Sequence, residues 1–142
     1  MMPTLRFELV DNVLLIIHSD NEPDPRDWDA FLELYARSID HLLGVLVFSP
    51  GPGPDSIQRR RIAKINQQRA APIAVVTPSR LARGIVAALS WFDMPIKAFD
   101  VDGFARALDY LHLEGATRSS VARAYELLYQ AVFPVTGAKQ RA

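Results

Sequence analysis

Four short apolar runs recur along this chain: "VLLII" (Val13–Ile17), "LLGVLVF" (Leu42–Phe48), "PIAVVT" (Pro72–Thr77) and "PIKAFDV" from Pro95. Amphipathic segments of helical length separate them. Runs this short and this apolar read as strands buried on both faces, and strands that alternate with helices imply βαβ units joined by crossovers. The expected core is therefore a largely parallel sheet.

A fifth strand precedes them. "LRFELV" alternates, with Leu5, Phe7 and Leu9 on one face, and Asp11-Asn12 makes a tight turn into "VLLII". The opening hairpin adds an antiparallel strand. The full expectation is a single α/β domain with the order β-β-α-β-α-β-α-β-α-α. Its sheet of about five strands is mixed, mainly parallel, and flanked by helices.

The helices have readable faces. Asp24 caps the first and Pro25 takes its first position, where a missing N–H costs nothing. Trp28, Phe31, Leu32 and Tyr35 follow at i, i+3, i+4 and i+7, with Asp27 and Asp29 near the positive end. The second helix, Ser56 to Gln68, offers only Ile57, Ile62 and Ile65 to a core. The third, capped by Thr77 or Ser79, would face Leu81, Ile85, Leu89 and Phe92 inward. Asp102 is the expected cap of the fourth, with Phe104, Leu108 and Leu111. Gly115 would close that section and Thr117 open a fifth helix carrying Val121, Tyr125, Leu128 and Val132. Pro134 stops it, and a frayed tail follows.

Composition narrows the function. The chain has 142 residues, balanced charge and no cysteine. Disulfides, thiolate metal sites and a cysteine nucleophile are excluded, and a reducing cytoplasm is the expected compartment. The opening residues lack the layout of a signal peptide, and no apolar run is long enough to cross a bilayer. Zero net charge argues against nucleic acid as a partner. Yet residues 1–40 hold three basic and nine acidic side chains, a balance of −6, whereas residues 41–100 hold eight basic and three acidic, a balance of +5. One part of the surface is expected to be acidic and another basic, the alternative being charges that serve solubility and internal pairing.

The most unusual stretch is "FSPGPGPDSIQRRR", Phe48 to Arg61. It lies between a buried strand and a helix, a place where α/β proteins bind anions. It matches neither phosphate-loop pattern, has no lysine, and its three prolines each remove an N–H that a cradle needs. Asp55 and Ser56 suit a helix cap. A phosphate on Ser56 would sit at the positive helix end near Arg59 and Arg60. Arg59, Arg60, Arg61 and Lys64 span too wide an arc for one small anion and match a protein surface better. Arg80 and Arg83 are neighbouring candidates, and Trp91 is a further contact candidate. The three histidines lack a second ligand at helical or strand spacing, so no metal, cofactor or catalytic residue is expected. Ser49, Ser56 and Thr77 are nucleophile types without an identifiable base.

The element order resembles the STAS domain, named for sulfate transporters and anti-sigma-factor antagonists. "PIAVVTPSRLARGIVAALSWFDMPIKAFDVDGFARALDYL" is similar to its SpoIIAA-like branch, and the resemblance covers about residues 5–113. It implies a regulatory module in which a kinase phosphorylates a serine in a D-[ST]-x-G setting. Asp55-Ser56 occupies that place, with Gln58 where the glycine would be. Residues 1–113 would form the STAS-like domain and 114–142 a helical extension, packed on its own domain or pairing with a second copy as a homodimer. Two functions are expected from this reading. One is a non-enzymatic adaptor that docks a protein through residues 49–64. The other is a small-ligand or lipid-binding domain.

Overall fold

The computed structural model describes residues 4–51, 53–67, 69–90 and 94–134. Five strands form one sheet in chain order: β1 (Leu5–Val10), β2 (Val13–His18), β3 (Gly44–Phe48), β4 (Ile73–Val76) and β5 (Ile96–Phe99). β1 runs antiparallel to β2, and the remaining neighbours are parallel. The mixed, mainly parallel α/β fold expected from the sequence is the fold observed.

The hairpin turns on Asp11 and Asn12, both with positive φ (48° and 65°). That is the two-residue geometry whose twist matches the flanking strands. β2 is buried along its whole length because alternate residues feed different layers. Leu14 and Ile16 enter one core, and Val13, Leu15 and Ile17 enter the other.

Five α-helices cover the sheet among the described residues: α1 (Pro25–Ser38), α2 (Ser56–Asn66), α3 (Arg80–Ser90), α4 (Phe104–Tyr110) and α5 (Gly115–Val132). Each parallel crossover steps to the next strand in the same direction. Right-handed connections then place α1, α2 and α3 on one face of the sheet. Trp28, Phe31, Leu32 and Tyr35 of α1 pack there with Val45, Ile73, Val75 and Val86. The opposite face is covered by α4 over β4 and β5 and by α5 over β1 and β2. The second core contains Phe48, Phe99, Leu108, Leu111, Val121 and Val132. The apolar face of α5 is thus spent on the chain's own sheet.

Several local expectations are corrected. Leu9 lies at the solvent side of the edge strand β1, and Leu81 and Ile57 are 77% and 64% exposed. In α3 Ile85 faces inward as expected, joined by Ala82 and Val86 in place of Leu81, and the Leu89 side chain lies outside the described residues. Asp102 lies in a 3-10 turn, Val101–Gly103, and α4 starts after Gly103 with no side-chain cap. Gly115 is the first residue of α5, not the end of the preceding section. Phe92 lies outside the described residues.

Candidate functional site

Because the strands run in chain order, the sheet has no point at which the crossovers diverge to opposite faces. The crevice that usually binds ligands in α/β sheets is therefore absent. Space arises instead from the poverty of α2. Its sequence, SIQRRRIAKIN, supplies only Ile62, Ala63 and Ile65 as half-buried apolar cover, and its one buried residue is Gln58. Between the large side chains of α1 and the inward stripe of α3, α2 leaves a gap over the sheet.

That gap is a cavity of about 150 Å³. Its floor is the strand residues Ile16, Val45, Val47, Ile73, Val75 and Ile96. Trp28 and Phe31 form one wall, Ile62 and Ala63 the roof, and Ala82, Ile85 and Val86 the far wall. Ser49, Gly53, Pro54 and Arg59 close the end at the carboxyl termini of the strands. The lining is almost wholly apolar.

Besides Ser49 and Arg59 at the closing end, His18 and Trp28 bring polar atoms to this lining. His18, the last residue of β2, is 2% exposed, and its Nδ1 has no hydrogen-bond partner among the described residues. The same holds for Trp28 Nε1. Both residues line the cavity, and their rings lie 6.3 Å apart, tilted by 33°. Burial lowers the His18 pKa from 6.5 to about 4, so the ring is neutral near pH 7. Buried polar atoms without partners are rare in native proteins, and here two of them belong to neighbouring residues that line one cavity.

The proline-rich loop forms the closing end, and it is held firmly. A Cβ on Gly51 would lie 2.4 Å from the Asp20 carbonyl oxygen, so only glycine permits this approach of the two loops. Asp55 Oδ1 accepts from the Gln58 amide at 2.8 Å, and Gln58 Oε1 accepts from the Asp55 amide at 2.9 Å. This reciprocal box caps α2. Gln58 Nε2 also donates to the Pro23 carbonyl at 3.1 Å, tying the loop to the segment before α1. Gln58 is therefore a buried brace between the loop and the first turn of α2.

The surface candidates divide. Arg59 donates to the Pro54 carbonyl at 2.8 Å and reaches the cavity end. Arg61 pairs with Asp29 of α1 at 2.6 Å, with both side chains at least half exposed. Arg83 donates to the Thr77 carbonyl at 3.0 Å. Ser79 caps α3, accepting from the Ala82 amide. Ser56, Arg60 and Arg80 are exposed, and neither arginine has an ion pair or side-chain hydrogen bond among the described residues. Trp91 lies outside the described residues. The structure thus keeps two arginines outward and uses three to fasten loops and helices.

Sequence reasoning passed over His18 and Trp28 as site residues. The signal was present: a histidine ends an otherwise unbroken apolar strand, where a polar ring must be buried. Among the described residues, no three His, Asp or Glu side chains cluster as a metal site would require, and no helix is long and apolar enough to cross a membrane. No protein-family model matches this chain, and no curated protein matches it.

Proposed function

We propose that this chain is a non-enzymatic, STAS-like regulatory module that holds a small, mainly apolar ligand beneath α2 and α3. The observation that carries the reading is the cavity lined by His18 and Trp28, two buried residues whose ring nitrogens Nδ1 and Nε1 have no partner among the described residues. Size and lining support it: about 150 Å³ of space with an almost wholly apolar lining is room for a small apolar guest.

Docking to a protein partner is the second reading, and a specific surface favours it. Ile57 and Leu81, both largely exposed, sit in the first turns of α2 and α3 together with Ser56 and Arg80, and the exposed Arg60 follows in the second turn of α2. Exposed apolar side chains with exposed arginines close by in the same helices suit a protein interface. The two readings join naturally, because α2 both roofs the cavity and carries part of this surface. Occupancy of the cavity would set the position of α2 and with it the surface offered to a partner.

Native mass spectrometry of gently purified protein tests both. A retained small molecule supports the ligand module, and a second polypeptide supports docking. A bare chain that also takes up no apolar probe contradicts the ligand module.

A further inference from the structure

We infer that the cavity accepts an uncharged molecule about the size of a single six-membered ring, bearing one hydroxyl group that pairs with His18 and Trp28. The inference rests on the ligand-binding reading above and adds the chemical class of the ligand.

Size comes first. A cavity of about 150 Å³ is the volume at which an apolar protein pocket takes up a benzene-sized guest. It is too small for a nucleotide or a lipid chain of ordinary length. Shape and lining agree: Val45, Val75, Ile62 and Val86 offer aliphatic walls, and Trp28 and Phe31 offer aromatic ones.

Charge comes second. No carboxylate lines the cavity among the described residues, and Arg59 is the ionised side chain at its end. One Nη of Arg59 is already bonded to the Pro54 carbonyl. His18 is buried and neutral near pH 7. An anionic ligand would enter an apolar site with one partly committed cation, whereas a neutral ligand avoids that desolvation cost.

The polar atoms then select the functional group. Trp28 Nε1–H is a donor only. His18 Nδ1 is an acceptor if the ring proton sits on Nε2, and a donor if it sits on Nδ1. A hydroxyl satisfies both cases. Its oxygen accepts from Trp28, and it either donates its proton to His18 Nδ1 or accepts a second bond from it. A carbonyl satisfies only the second case, and a hydrocarbon neither.

Calorimetric titration of the whole chain at neutral pH with phenol, benzene and benzoate tests this directly. Phenol should bind roughly tenfold more tightly than benzene, the gain of two neutral hydrogen bonds, and benzoate should bind more weakly than either. Trp28→Phe and His18→Phe should each bring phenol towards the affinity of benzene while leaving benzene itself bound, a split that general loosening of the fold would not produce. Equal binding of phenol and benzene to the unaltered chain would overturn the hydroxyl assignment and leave the apolar site standing. Preferred binding of benzoate would overturn it in favour of an anion held by Arg59. Failure of all three to bind would overturn both the assignment and the ligand-binding reading.

Discussion

The carbonyl oxygen of Asp20 occupies the space that any side chain at residue 51 would need: a Cβ on Gly51 would lie 2.4 Å from it. The two loops that follow β2 and β3 are therefore locked together by a glycine, two residues before Gly53, which lines the cavity end. Gly51→Ala should lower stability by about 1–3 kcal/mol through forced displacement of the loops. Gly84→Ala is the control. It lies in the middle of α3 with open space around it, and alanine there should raise stability by up to about 1 kcal/mol. Thermal or urea unfolding of the pair distinguishes a loop lock from a general intolerance of substitution.

His18 makes stability depend on pH. Its pKa falls from 6.5 to about 4 on folding because burial disfavours the charged ring. No ion pair offsets this among the described residues. Between those two values the unfolded chain carries a proton that the folded chain does not. Stability therefore drops as pH falls through this window, by about 3 kcal/mol in all. His18→Phe should remove that share of the slope, so denaturant melts at about pH 7 and about pH 4.5 should differ less than in the parent chain. An unchanged slope would show that the ring is not buried as described.

Val121 ties α5 to the second core, where it is fully buried, while Leu127 on the same helix is largely exposed. Val121→Asp places a charge where it cannot be solvated and should unfold the domain at ordinary temperatures. Leu127→Asp should change stability by no more than about 0.5 kcal/mol. Circular dichroism melts read the difference. Similar tolerance at both positions would mean that α5 is a detachable extension and not a layer of the fold.

Reversing charge at Arg60 and Arg80 should leave the melting temperature nearly unchanged, because both are exposed and unpaired among the described residues. Arg59→Glu should also destabilise the loop, since it removes the bond to the Pro54 carbonyl. If a protein partner docks on this surface, the double reversal should abolish its capture without loss of fold. Retained capture would move the interface elsewhere.

Much of the architecture was legible because strand period and helix caps are local signals. The Asp11-Asn12 turn, the Asp24 and Asp55 caps and the α1 stripe of Trp28, Phe31, Leu32 and Tyr35 all stand where the residues suggest. The errors share a physical cause. Leu81 and Ile57 fit an apolar periodicity, yet which edge of a stripe meets the sheet depends on the neighbouring helices. The few apolar residues of α2 were readable, but their consequence, a cavity, is a property of what α1 and α3 put on either side. Likewise, His18 shows its importance only once the unbroken burial of β2 and the approach of Trp28 are known.

The central claim is that the gap beneath α2 and α3 is a binding site. Titration of benzene into protein labelled at isoleucine methyl groups tests it most directly. Saturable shifts at Ile62, Ile73, Ile85 and Ile96, which line the cavity, with Ile57 unmoved on the surface, are the predicted result. Absence of any saturable shift at the lining methyls, or shifts confined to Ile57, would contradict the account.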